Sequence, residues 1–272
     1  MEKIIIPFDG SHFSKGALTF AMQLGKLKSL FLSGLFLPEF SGMYWYTGIN
    51  TIDAPPLMLI PTKEDEEAVD ASIRQFREFC LQNGIEHTIH KGIVEYSMNQ
   101  LIKESRFSDL MIISSERFYP ENGSSESSLT DILEESECSV ILVPEVFEFP
   151  QNIILAYDGS KSSVNAIKQF AYLFPELCGR NTTLVYADKD ETHAIPELKY
   201  IKEWASHHFS HLTFFSLEAD PSAYFETWMM EVKAPLLVSG AYNRSAFSRL
   251  LKKSFVENFI RDYKIPLFVS HK

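Results

Sequence analysis

The chain is written as short, unbroken apolar runs separated by longer stretches with apolar residues three and four apart. Residues 3–9, KIIIPFD, lack the polar alternation of a sheet with one wet face. That predicts a parallel strand covered on both sides. The stretch after it, SKGALTFAMQLGKL, places Ala17, Phe20, Ala21 and Leu24 at helical spacing. The alternation continues as strand 29–37, helix 65–82, strand 85–91, helix 95–106, strand 109–114, helix 127–137 and strand 139–143. It then resumes as strand 152–157, helix 161–174, strand 181–187, helix 195–209, strand 211–217, helix 221–231, strand 235–240, helix 253–262 and strand 265–270. Such alternation predicts right-handed βαβ units and parallel sheets, whose ligands lie beyond the carboxyl ends of strands where strand order reverses.

The pattern repeats internally. IIIPFDGS at 4–11 returns as IILAYDGS at 153–160, an offset of 149 that pairs Asp9 with Asp158 and Ser11 with Ser160. DLMIISS at 109–115 and SVILVP at 139–144 return as PLLVSGA and IPLFVS, both at an offset of 126. The two offsets differ by 23 residues, extra chain in the first half, and the aromatic, Pro- and Met-rich stretch 41–64 is the candidate insertion. The reading is a duplication: a first domain over 1–146 carrying that insertion, a join near 145–151, and a second domain over 151–272. The last strand of each half, SVILVP and PLFVS, is apolar enough to need a cover at the sheet edge.

Composition narrows the function classes. The 272 residues carry a net charge of −11, against nonspecific nucleic-acid binding and against an anionic membrane surface. Small anions remain open, because backbone dipoles bind them without net positive charge. Three scattered cysteines give neither a disulfide framework nor a metal clip. No apolar run approaches a membrane span, and the first residues lack the apolar core of a signal peptide. The expected compartment is the cytoplasm.

Asp9 and Asp158 close the first strand of each half. A carboxylate there either accepts hydrogen bonds from a ribose hydroxyl or base amine, or shapes the turn and caps the next helix. After the fourth strand of the second half, VSGAYNRSAFSRLLKKSF leads from Gly240 into a predicted helix. A loop feeding a helix N-terminus offers free N–H groups to an anion, and Arg244, Arg249, Lys252 and Lys253 add charge. The alternative is a basic loop in which Ser254 and Glu257 form a capping box.

With the D-G-S turn in both halves and a glycine-led loop after the fourth strand of the second, the chain resembles a tandem universal stress protein over nearly its whole length. The resemblance implies two doubly wound α/β domains of the adenine nucleotide alpha hydrolase-like type, strand order 3-2-1-4-5, paired as an intramolecular pseudo-dimer. In ATP-binding members the fourth strand runs into G-x2-G-x9-G-[ST], whose glycines wrap the phosphates. Here Gly240 matches the first glycine, Asn243 stands at the second and Lys253 at the third, and Ser254 keeps the hydroxyl. Asn tolerates a positive φ, whereas Lys253 puts a side chain where backbone must approach phosphate. The resemblance implies Asp158 at the base or ribose, Ala187 near the base, and Gly240, Asn243, Arg244, Lys253 and Ser254 around the phosphates. In the first half the same spacing gives Ser114, Arg117, Ser127 and Ser128, with Asp9 and Leu37 as counterparts of Asp158 and Ala187. Only the Ser128 hydroxyl is kept, and Glu116, Glu121 and Glu126 repel phosphate. The first-half site is therefore expected to be lost.

The expectation is a non-enzymatic stress-response or regulatory protein that binds ATP or AMP weakly, or in an altered pose, in its second half. The competing reading is a nucleotide-free interaction module with a protein partner on the 41–64 insertion. Homodimerisation is open in both. Slow ATP hydrolysis has only family analogy behind it. No catalytic motif is present: Walker A, G-x-G-x-x-G and G-x-S-x-G are all missing. No metal site is expected: His207 and His211 straddle a predicted helix end, and His87 and His90, three apart on a strand, point to opposite faces.

Overall fold

The computed structural model describes residues 1–9, 13–37, 63–92, 97–115, 132–187, 195–217, 228–240 and 265–270. They divide into two compact units, Met1–Cys138 and Ser139–Lys272.

The first unit has strands β1 (Glu2–Asp9), β2 (Leu30–Leu37), β3 (Glu86–Lys91) and β4 (Leu110–Ser114), in the order β3-β2-β1-β4. All are parallel, with Asp9 opposite Leu37 at the carboxyl end. The helices are α1 (Lys15–Gly25), α2 (Lys63–Gln82) and α3 (Ser97–Ser105). Helix α1 buries Ala17, Leu18, Phe20, Ala21 and Leu24, the stripe its spacing predicts. Phe8, Phe36 and Phe76 form the aromatic centre, with Phe8 and Phe36 stacked at 4.9 Å. The period of two on β3 sends His87 against the Phe76 ring of α2 and His90 to Glu104 of α3, so the two histidines face different helices.

The second unit has β5 (Ser139–Val143), β6 (Asn152–Tyr157), β7 (Asn181–Ala187), β8 (His211–Leu217), β9 (Pro235–Gly240) and β10 (Leu267–Ser270). Strands β6 to β10 take the order β8-β7-β6-β9-β10, the 3-2-1-4-5 arrangement, all parallel. Strand β5 runs antiparallel to β10, with Leu142, Ile141 and Val140 opposite Leu267, Phe268 and Val269. Its edge is thus covered by the pairing of closing strands that the sequence calls for, and the Ser139 hydroxyl bonds that of Ser270 at 3.1 Å. Helices α4 (Lys161–Leu173) and α5 (Leu198–His208) flank the sheet. Phe170, Phe174, Phe209 and Phe268 are fully buried together.

The expected helix 195–209 starts late. Pro196 is followed by Glu197 in the left-handed region, at φ 48°, and the helix begins only at Leu198. Expected helices 127–137 and 221–231 are described only over 132–137 and 228–231; the first is helical over 132–135 and ends before Ser136, and the second is helical over 228–231. The insertion 41–64, apart from its last two residues, and the expected helix 253–262 lie outside the described residues.

Candidate functional site

In the second unit the chain leaves β6 towards β7 on one side, while β9 lies on the other. The carboxyl ends of β6 and β9 therefore flank the point where strand order reverses, the place where such sheets bind ligands.

The sequence Tyr157–Asp158–Gly159–Ser160 builds the β6 side. Gly159 sits at φ +77°, a conformation open to glycine and costly for residues with a Cβ. The Asp158 carboxylate accepts from the Ser160 amide at 2.9 Å through Oδ1. The Ser160 hydroxyl caps α4, accepting from the Ser163 amide at 3.1 Å, and the Ser163 hydroxyl donates back to the Ser160 carbonyl at 3.0 Å. So one oxygen of Asp158 performs the turn-shaping role that its residue type allows.

The β9 side is Gly240. A Cβ built there would lie 2.5 Å from the Ser162 hydroxyl, 2.7 Å from the Ser162 carbonyl carbon and 2.8 Å from the Ser163 amide nitrogen. Two of those three atoms are backbone. Gly240 is therefore where the first turn of α4 comes down onto the end of β9. That turn carries amide groups without helical partners and the positive end of the helix dipole.

A third element was not read from the sequence. Tyr157 is 1% exposed, and its hydroxyl donates to the Pro196 carbonyl at 2.9 Å. Pro196 also lies over the turn: a Cβ at Gly159 would meet the Pro196 Cβ at 2.8 Å. Burial first, then the charges of Glu197 and Asp158 and the neighbouring Tyr186, hold the Tyr157 hydroxyl above the ordinary tyrosine range. The available signal was the alignment of the halves, which sets Tyr157 against Phe8.

Among the remaining expected residues, Ala187 closes β7, its backbone opposite Leu217. Asn243, Arg244, Lys253 and Ser254 lie outside the described residues. In the first unit, Asp9 ends β1 beside Leu37. Leu37 is fully buried, and the Gly92 amide closes over the end of β2 by donating to the Phe36 carbonyl at 2.7 Å. Ser114, 2% exposed, stands where the second unit has Gly240. Helix α1 is capped by Ser14, whose hydroxyl accepts from the Ala17 amide at 3.3 Å. In the register of the repeat Ser14 matches Ser163, so α1 starts three residues later than α4. Arg117 and Ser128 lie outside the described residues.

Burial pushes the thiols of Cys80, Cys138 and Cys178 each up to about 12, far from a reactive thiolate. Among the described residues no group of three His, Cys, Asp or Glu side chains could hold a metal ion. Nor is any described helix long and apolar enough to cross a membrane.

No protein-family model matches the sequence, and no curated protein matches it. The fold does match. A universal stress protein from Archaeoglobus fulgidus superposes with a TM-score of 0.66 at 14% identity, covering 100% of this chain and 96% of that one. At that identity the likeness is one of fold.

Proposed function

We propose that the chain is a tandem universal stress protein-like regulatory protein that binds an adenine nucleotide, ATP or AMP, in its second unit. The observation that carries this reading is the fit of Gly240 against the backbone of the first turn of α4, at the point where strand order reverses. Close backbone approach at a helix N-terminus is what phosphate binding uses. Asp158 serves the base or ribose with the carboxylate whose Oδ1 also shapes the turn. Ala187 packs near the base, and Asn243, Arg244, Lys253 and Ser254 supply amide, charge and hydroxyl to the phosphates. The role is binding rather than catalysis, in the cytoplasm, and protein partners read the bound state.

Calorimetry with ATP and AMP on the full chain tests this, alongside Asp158→Asn and Ser254→Ala. Asn keeps an acceptor for the Ser160 amide while removing the charge, so the turn survives and the ligand contact does not. Saturable binding weakened by both substitutions supports the site. Absence of heat at millimolar nucleotide overturns it.

The second reading is a nucleotide-free interaction module with the same fold. The filled counterpart in the first unit favours it: Leu37 and Ser114 are buried where the second unit keeps Ala187 and Gly240. Lys253 in place of the third glycine extends the same argument to the second unit. Under this reading both nucleotides stay silent in the calorimeter.

A further inference from the structure

We propose that Tyr157 is a positioning residue of the second unit's nucleotide site, latching the Pro196 segment over the Asp158–Gly159 turn; this rests on the function proposed above. A tyrosine with 1% exposure needs a partner for its hydroxyl, and the partner here is the carbonyl of Pro196, 39 residues away in sequence. The Pro196 ring adds an apolar contact over Gly159, its Cβ 2.8 Å and its Cγ 3.2 Å from where a Cβ would stand. Pro196 is thus held against the residues on both sides of Asp158. Pro196 itself offers no N–H, and the chain turns away at Glu197 in the left-handed region with no side-chain cap. The first turn of α5 then forms from the amides of Tyr200 and Ile201, which donate to the Glu197 carbonyl at 2.9 and 3.2 Å. The latch therefore fixes both the position of Asp158 and the start of α5.

The duplication supplies the comparison. In the register of the repeat Phe8 stands in place of Tyr157. Its ring has no hydroxyl and stacks between Phe13 at 5.4 Å and Phe36 at 4.9 Å. The same half carries Ser114 for Gly240 and starts its helix later. The latch hydroxyl, the glycine and the early helix start occur together in one half and are replaced together in the other. The groups facing the hydroxyl are Glu197 at the start of α5, Asp158 on the turn and Tyr186 on β7. With burial they keep it protonated, and so a donor, through neutral pH.

Tyr157→Phe removes the one oxygen and copies the first half. On the full chain, two measurements are made: AMP and adenosine binding by calorimetry, and hydrogen exchange at the amides of Tyr200 and Ile201. The loss of one neutral hydrogen bond is expected to raise the Kd for AMP about tenfold. Adenosine weakens by the same factor, because the latch acts at the Asp158 end and not at the phosphates. Exchange at both amides quickens. Phe170→Leu, in the aromatic core of the same unit, is the control for a purely structural effect and should leave the Kd within about twofold. Unchanged exchange in Tyr157→Phe overturns the latch whether or not AMP binds. Unchanged AMP affinity, or a loss matched by Phe170→Leu, overturns the positioning role while leaving the nucleotide reading intact. A wild-type chain that binds neither ligand removes the nucleotide reading and the positioning role together.

Discussion

Gly240→Ala asks whether the start of α4 is set by what lies beneath it. The added methyl would sit 2.5 Å from a serine hydroxyl, which can rotate away. It would also sit 2.7 and 2.8 Å from the carbonyl carbon of Ser162 and the amide nitrogen of Ser163, which cannot. A helix end must therefore rise or unwind, and over-packing of this kind costs about 1–3 kcal/mol. At a urea slope of about 2 kcal/mol per molar, the midpoint falls by about 1 M. Which of the two responses occurs is read from a second substitution. Ser160→Ala alone removes an N-cap and costs about 1 kcal/mol. If the methyl unwinds the first turn, the Ser160–Ser163 bond is already broken, and the double variant loses less than the sum of the singles. An additive double variant means that the helix end rises with its cap intact, whereas a Gly240→Ala cost below about 0.5 kcal/mol would refute the claim that this contact sets the helix start.

Two further outcomes follow from the titrating groups. Arg106 donates to Glu137 through Nε at 2.7 Å and Nη2 at 2.6 Å, and this hydrogen bonding, ahead of the opposing cost of burial, holds the Glu137 carboxyl below its usual 4.5. A lowered carboxylate value means the stabilisation is present above about pH 4.5 and fades as pH falls through the folded value. The pair is exposed, so its effect is small and salt-sensitive. Wild type should hold a slight advantage in urea midpoint over Glu137→Gln at pH 7 that closes at pH 3 and in high salt; a gap that widens in acid contradicts this. For the thiols, a value of about 12 leaves a thiolate fraction of about one in ten thousand at pH 8. Ellman's reagent should react slowly with all three in the native chain and rapidly in urea, and one fast native thiol would count against the burial argument.

The order of strands was legible in the chain because each strand announces itself locally. Residues 4–8 and 235–238 are apolar throughout, and their observed strands are Glu2–Asp9 and Pro235–Gly240. The two offsets of the repeat then tied the first, fourth and last strands of one half to those of the other. Helix starts were legible where a serine cap stands beside the apolar stripe, as before Lys15 and Lys161, and less so where a distant partner intervenes. The letters D-G-S occur at 9–11 and at 158–160. Only the second copy is directly followed by its helix, at Lys161, whereas α1 waits for Ser14. The chain after the turn differs locally, HFSK against KSSV, and at a distance Ser114 stands where the second half has Gly240, some 80 residues downstream of Ser160 and about 100 downstream of Ser11. Likewise nothing local marks Tyr157 as more than a core aromatic. Its role depends on Pro196, and the left-handed Glu197 behind it is why the predicted helix 195–209 begins late.

The placement of β5 has a consequence for anyone who cuts this chain. The repeat in the sequence turns over near residue 150, but the compact unit turns over between Cys138 and Ser139. Sequence repeat and compact unit are out of step by one strand. A fragment starting at residue 151 would therefore present the backbone of Leu267, Phe268 and Val269 as a raw edge, ready to recruit any extended chain. A fragment starting at Ser139 keeps the strand that pairs with those three residues. By the same token, a protease nick in the connection at 145–151 would cut the short link from β5 to β6 and leave β5 joined to β10 through non-covalent contacts, with Val140, Ile141 and Leu142 paired to Val269, Phe268 and Leu267.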